Sequence, residues 1–237
     1  VFSVVLLKGK RGQKQQTMKG MLMTDQTNGR GVQKGNPADF AALFDRQAKT
    51  LIEKGFHAAA GISETAFEIH LSRLRASTLG QIDAVGPENL PFAIVIPECL
   101  VAIPTQLALM NGSGRMAKMD VRGVRAAEDA EEFRVPYAII DIEPGKATKG
   151  QPPIALQTHK NGRRYGLSLV EGVALQRYFG VIQKDHAISL PGSCCGFDLH
   201  PILFLEKGSH LKLGFCQAGQ GRQDCGPVSC VERIAPR

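Results

Sequence analysis

The sequence predicts an α+β fold with a mixed sheet, in which an N-terminal helical hairpin packs on a sheet that includes a C-terminal antiparallel hairpin. Three observations predict it. Residues 37–54 and 63–79 carry apolar side chains at helical spacing. Two nearly continuous apolar runs, Leu90 to Ile96 and Val135 to Ile142, occupy the middle of the chain. An alternating pattern interrupted by Lys207-Gly208-Ser209 closes it, between Pro201 and Cys216. Helices first, strands next and a hairpin last fit segregated layers better than strict βα alternation.

The first helix starts well. Asn36 is a natural N-cap, Pro37 occupies the first turn, and Asp39 favours the helix dipole. Phe40, Leu43, Phe44, Ala48, Leu51 and Ile52 then form one stripe, and Gly55 is a stop. A second helix from about Ser63 to Leu79 places Phe67, His70, Leu71 and Leu74 on one face, with Gly80 ending it. Leu90 to Ile96 reads as a strand covered on both faces and ended by Pro97. Val101 to Met110 fits either a short helix from Pro104 or an extended run, and Ala126 to Glu132 fits one or two helical turns. Val135 to Ile142 is the second strand, and Pro152-Pro153 introduces a short helix reaching Thr158. Ser168 with Glu171 three residues on has the spacing of a capping box, opening a helix to Tyr178. His186 to Leu190 is a short strand, and Gly192-Ser193-Cys194-Cys195-Gly196 reads as a turn. In the final hairpin Leu211, Leu213 and Phe215 share one face while His210, Lys212, Gly214 and Cys216 share the other, a one-sided edge.

Composition narrows the function classes. The chain has 237 residues, 43% hydrophobic and 22% charged, ordinary for a globular protein with an adequate core. With 6% aromatics and no Trp the core must be aliphatic. No apolar run approaches the ~18 residues of a membrane span. The net charge is +7, but residues 1–34 hold seven Lys and Arg against Asp25 alone, so the rest carries only +1. The folded body therefore lacks the broad basic face of a nucleic-acid binder. Residues 1–35 are expected to be a disordered basic tail, an upstream extension or alternative start, with 36–237 a single domain. Val1 to Leu7 precedes Lys8-Gly9-Lys10-Arg11, the reverse of a signal peptide's order, which points to the bacterial cytoplasm and reduced thiols.

Four groups could carry chemistry. Asp141 and Glu143 lie two apart at a strand end, hence on one face, and such a pair can hold Mg²⁺ or do acid–base work. Arg163-Arg164, next to a helix start, could bind an anion. Cys194, Cys195, Cys216, Cys225 and Cys230, with His200 and His210, are donors enough for tetrahedral zinc. Their spacing opposes it, since no C-x₂-C pair occurs, so no cofactor is expected and zinc stays an alternative. Cys225 and Cys230, on one glycine-rich loop, are the better redox partners. Cys195 could act as a nucleophile if His200 or His210 stood beside it as base. Asn111-Gly112-Ser113-Gly114 is too short for a dinucleotide loop, and Gly145-Lys146 lacks the P-loop glycine, Ile140 standing in its place. Ser168 lacks a G-x-S-x-G frame.

Several ordered segments carry a resemblance: Pro91 to Ile96, Pro136 to Gly145, Leu167 to Leu175, Leu190 to Gly196, Lys212 to Cys216, and Ser229-Cys230. Over roughly residues 37–234 the chain resembles a bacterial family recorded only as a domain of unknown function. The resemblance implies a soluble bacterial domain and no reaction or ligand. It also implies tryptophans where this chain has Phe215 and Gln217. With no complete catalytic constellation, the favoured expectation is a soluble non-enzymatic domain that binds a protein partner or a small ligand. The alternatives are an enzyme using Asp141 and Glu143, with Cys195, and a zinc- or redox-responsive cysteine module.

Overall fold

Asn36 caps α1 (Pro37–Glu53) by accepting the Ala38 N–H at 3.2 Å, and Gly55, at φ 75°, lets the chain leave it. One further helical turn, α2 (Phe56–Ala59), precedes α3 (Glu64–Leu79), which Ser63 caps. Arg75 in the second half of α3 donates to Asp45 at the midpoint of α1 at 2.8 Å, tying the two helices together. The intervening turn of helix was not legible, because Gly61 and Ile62 follow Phe56 too soon for a periodicity to show. The computed structural model describes residues 36–82, 84–111, 120–126, 133–158, 164–183, 185–196, 198–206 and 210–237. The basic tail 1–35, the Gly112-Ser113-Gly114 loop, residues 127–132 and Arg163 lie outside them.

The two central apolar runs are β1 (Leu90–Val95) and β3 (Tyr137–Ile142), antiparallel neighbours with Phe92 opposite Ile140. The C-terminal β11 (Glu232–Ile234) pairs with the other side of β3, giving the order β1-β3-β11. Both faces are covered. Phe92, Ile94, Ala138, Ile140 and Ile234 pack against Phe44, Leu51, Phe67, Leu71 and Leu74 of the helices. Ala93, Val95, Tyr137 and Ile139 face the larger core. The alternation breaks at Asp141, whose φ is 47°, so Ile142 and its partner Leu90 both turn to the larger core. Gln47 of α1 completes the outer edge of β1, donating to Phe92 O at 3.2 Å and accepting from Ile94 N at 2.8 Å.

The ambiguous segment after Pro97 resolves as α4 (Ile103–Asn111). Then come β2 (Val124–Ala126), α5 (Ile154–Thr158), β4 (Tyr165–Gly166) and α6 (Leu169–Phe179). The second sheet holds β5 (Ala187–Ser189), β6 (Ser193–Cys195), β7 (Leu199–Glu206), β8 (His210–Gln217) and β9 (Cys225–Pro227) in the order β2-β6-β7-β5-β9, with β8 on the free side of β7. Only β5 and β9 in it are parallel, and β10 (Ser229–Cys230) pairs with β4. The predicted hairpin is β7–β8, with Glu206 opposite His210. Leu211 and Leu213 of β8 pack on the large core with Leu203 and Leu205. The expected one-sided edge is only half right. Cys216 on the other face is buried in a satellite cluster with Ala187, Ile202 and Cys225. The expected glycine–cysteine turn is instead β6, bonded to β2 and β7, too short a strand for any alternation to reveal. The architecture is α+β.

Candidate functional site

A cleft of about 610 Å³ opens between the Pro97–Ile103 segment, β2, the residues before β3, and the first turn of α6. Its walls are mostly apolar, with Leu100, Ile103, Val124, Phe133, Leu169 and Val170 among them. Phe133 stacks on Tyr137 with ring centroids 4.2 Å apart. The deep end is set by Tyr137, Leu169, Glu171, Ser193 and Arg233.

Backbone contact brings that floor together. Gly192 N donates to Leu167 O at 2.9 Å, and a Cβ on Gly192 would lie 2.7 Å from the Leu167 carbonyl carbon. Only glycine allows this approach. It sets Ser193 beside the start of α6, where its Oγ accepts the Leu169 N–H at 2.9 Å. The same helix start carries the predicted capping residue, Glu171, which accepts the Ser168 N–H at 2.6 Å. Glu171 is also fully buried, and its carboxylate binds three further donors. Arg233 gives Nε at 2.6 Å and Nη2 at 2.9 Å, and Tyr137 OH donates at 3.1 Å. Four hydrogen bonds fill the acceptor capacity of a carboxylate. Arg233 Nη2 donates to Gly166 O at 3.0 Å as well. Burial works against the Arg233 charge, but the Glu171 carboxylate outweighs it and raises the guanidinium above its usual value. Burial first, and the same carboxylate second, push the Tyr137 phenol well up. The floor is thus a closed ion pair.

The mouth differs. Glu98 lines the cleft as an exposed side chain, and desolvation by its neighbours raises its carboxyl above the usual range. Arg125 and Arg134 line it as exposed side chains with no carboxylate partner among the described residues. Cys99 is exposed on the rim, its Sγ 3.5 Å from Phe133 O. Of these wall and floor residues the sequence singled out Ser168 and Glu171, and those as a helix cap. A cleft joins segments distant along the chain, and Glu171 and Arg233 are 62 apart.

The sequence-predicted residues lie elsewhere. Asp141 and Arg164, proposed for two different roles, bind each other. Arg164 Nη1 donates to Asp141 Oδ2 at 2.9 Å and its Nη2 to Asp141 O, while its Nε reaches Ser229 Oγ at 3.0 Å. Gly86 N and Asn89 Nδ2 donate to Asp141 Oδ1 at 2.8 and 2.7 Å. Burial raises the Asp141 carboxyl, yet the bonds from Asn89, Gly86 and Arg164 prevail and hold it below the carboxylate range. Glu143 turns to a separate task, accepting the Ala147 N–H and the Thr148 hydroxyl, each at 3.1 Å. The two carboxylates share no ligand among the described residues. Arg163 lies outside them.

The cysteines are dispersed. Cys194 and Cys195 sit half-buried on β6, opposite Arg125 and Val124. Cys216 and Cys225 share the satellite cluster, whereas Cys230 belongs to the large core, so the expected Cys225/Cys230 pair is split between cores. Burial is the main cause that pushes their thiols up, to about 11 for Cys216 and about 12 for Cys225 and Cys230. Such thiols stay protonated near neutral pH and are poor nucleophiles and ligands. Cys195 pairs with Leu199, so the pleat turns the next residue, His200, to the opposite face. The His200 ring instead places Nδ1 2.8 Å from Ser193 O. Among the described residues no three His, Cys, Asp or Glu side chains are placed to hold a metal ion. Nor is any described helix long and apolar enough to cross a membrane.

Comparison with curated proteins and with solved structures finds no match. One family model matches, over residues 50–236, from the end of α1 through β11, and so takes in both the cleft and the Asp141–Arg164 network. By that match the chain belongs to DUF5701, a family of unknown function.

Proposed function

We propose that this domain is a non-enzymatic binding module whose ligand is a small, largely apolar molecule held in the cleft beside the start of α6. The observation that carries this reading is the saturation of the floor. Glu171, Arg233 and Tyr137 satisfy one another, leaving no free carboxylate or base at the deep end. No histidine is among the lining residues described, and no hydrogen bond joins the exposed Glu98 carboxyl, the one carboxyl there besides Glu171, to Ser168, Ser193 or Cys99. What the cleft offers is apolar wall in a volume of about 610 Å³, within the usual range of small-molecule sites. Asp141, the strongest catalytic candidate in the sequence, is explained by its bonds to Gly86, Asn89 and Arg164, which fasten a loop to the strand end.

The test is a titration with N-phenyl-1-naphthylamine, a neutral apolar fluorophore, against the wild type and Val170→Trp. Val170 is half-buried on the cleft wall, and an indole there fills the space. Saturable fluorescence enhancement that Val170→Trp abolishes, with an unchanged melting temperature, is the expected result. Absence of saturable binding, or equal binding by the variant, contradicts the reading.

A further inference from the structure

Glu171 and Arg233 cancel at the floor, so the charge that a ligand meets comes from the mouth. There, among the described residues, two guanidinium groups, Arg125 and Arg134, line the cleft with one carboxyl, that of Glu98. Both arginines are exposed, and neither has a carboxylate partner among the described residues. A ligand that fills the apolar depth has no partner there for a charged group, since the Glu171 carboxylate already accepts four hydrogen bonds. A charge placed at the floor would lose its hydration without replacement. The same charge at the mouth keeps water and gains two cations.

We infer that the ligand is an anionic amphiphile, bound with its hydrocarbon part inward against Leu169, Val170 and Phe133 and its anionic group at the mouth beside Arg125 and Arg134. This rests on the reading of the cleft as an apolar binding site and adds the ligand's charge and orientation. Exposed ion pairs are individually weak, so the head group supplies selectivity and the hydrocarbon supplies most of the affinity. The preference is screened by salt.

The experiment is displacement of N-phenyl-1-naphthylamine by decanoate, decanol and decylamine, which share one chain and differ in head-group charge. Decanoate is expected to displace the fluorophore roughly five-fold more effectively than decanol at low salt, a margin that shrinks in 0.5 M salt. In the double variant Arg125→Gln/Arg134→Gln the difference between decanoate and decanol disappears. Equal displacement by acid and alcohol in the wild type overturns the inference while leaving the apolar cleft standing. A preference for decylamine also overturns it. That outcome makes Glu98 the charge that a ligand meets at the mouth. Failure of the fluorophore itself to bind removes the underlying reading instead.

Discussion

Arg233, from the last strand, binds both oxygens of Glu171, the residue that caps α6, at 2.6 and 2.9 Å. The contact ties the C-terminal segment to the helix start beneath the cleft. It also makes a helix cap depend on a charge 62 residues away. Buried pairs of this kind add little net stability over an apolar replacement, but breaking one leaves an uncompensated charge in the interior.

Arg233→Met is therefore expected to lower unfolding free energy by about 3–5 kcal/mol, with the Glu171 carboxylate left buried and unpaired. The double variant Glu171→Leu/Arg233→Met should cost less than the two single changes added together. Urea unfolding of the four proteins checks this, and additive losses would show that the two side chains do not interact.

Gln47 closes the edge of β1 with one donor and one acceptor, both buried. Gln47→Ala leaves Phe92 O and Ile94 N without partners, an expected cost of about 2 kcal/mol or more. Urea unfolding together with faster hydrogen exchange at Ile94 N–H is the check. A change confined to α1 would contradict the role assigned to the glutamine.

The Asp141 carboxyl titrates below its ordinary value in the folded chain, because its hydrogen bonds outweigh its burial. In the unfolded chain it returns to about 3.9. The folded state thus binds its proton less readily, and the stabilisation is complete above about pH 4 and lost as the pH falls below that value. Asp141→Asn should flatten the acid limb of a stability–pH curve below about pH 4, while lowering the plateau near neutrality. An acid limb identical to the wild type's would place the acid sensitivity elsewhere.

Much of the fold was legible because it depends on local signals. Asn36, Pro37 and Gly55 mark the first helix, the Ser168–Glu171 spacing marks α6, and the alternation around Lys207-Gly208-Ser209 marks the β7–β8 hairpin. Three-residue strands such as β6 carry no period, so Ser193 to Cys195 read as a turn. The break at Asp141 is likewise invisible, since an αL backbone in a strand follows from the bonds made by Gly86, Asn89 and Arg164. The candidate site was less legible still. Asp141, Arg164 and Glu143 were conspicuous as charges near apolar runs, and the structure engages each with protein groups. Leu169, Val170 and Phe133, which build the cleft, look like any core residues in a string of letters.

Thiol reactivity follows from burial. Cys99 is exposed, while the thiols of Cys216, Cys225 and Cys230 are buried and raised to about 11, 12 and 12. Timed alkylation with iodoacetamide at pH 8, read peptide by peptide, should label Cys99 first and those three at least ten-fold more slowly. Labelling of Cys225 or Cys230 as fast as Cys99 would contradict the packing around them.

The same alkylation gives the most direct measurement on the cleft, because Cys99 stands on its rim. Its labelling rate is measured with and without saturating N-phenyl-1-naphthylamine. Occupancy of the cleft predicts a several-fold slowing at Cys99, with Cys194 and Cys195 changed less. Full saturation of the fluorophore with an unaltered Cys99 rate would put the ligand somewhere else and contradict the account.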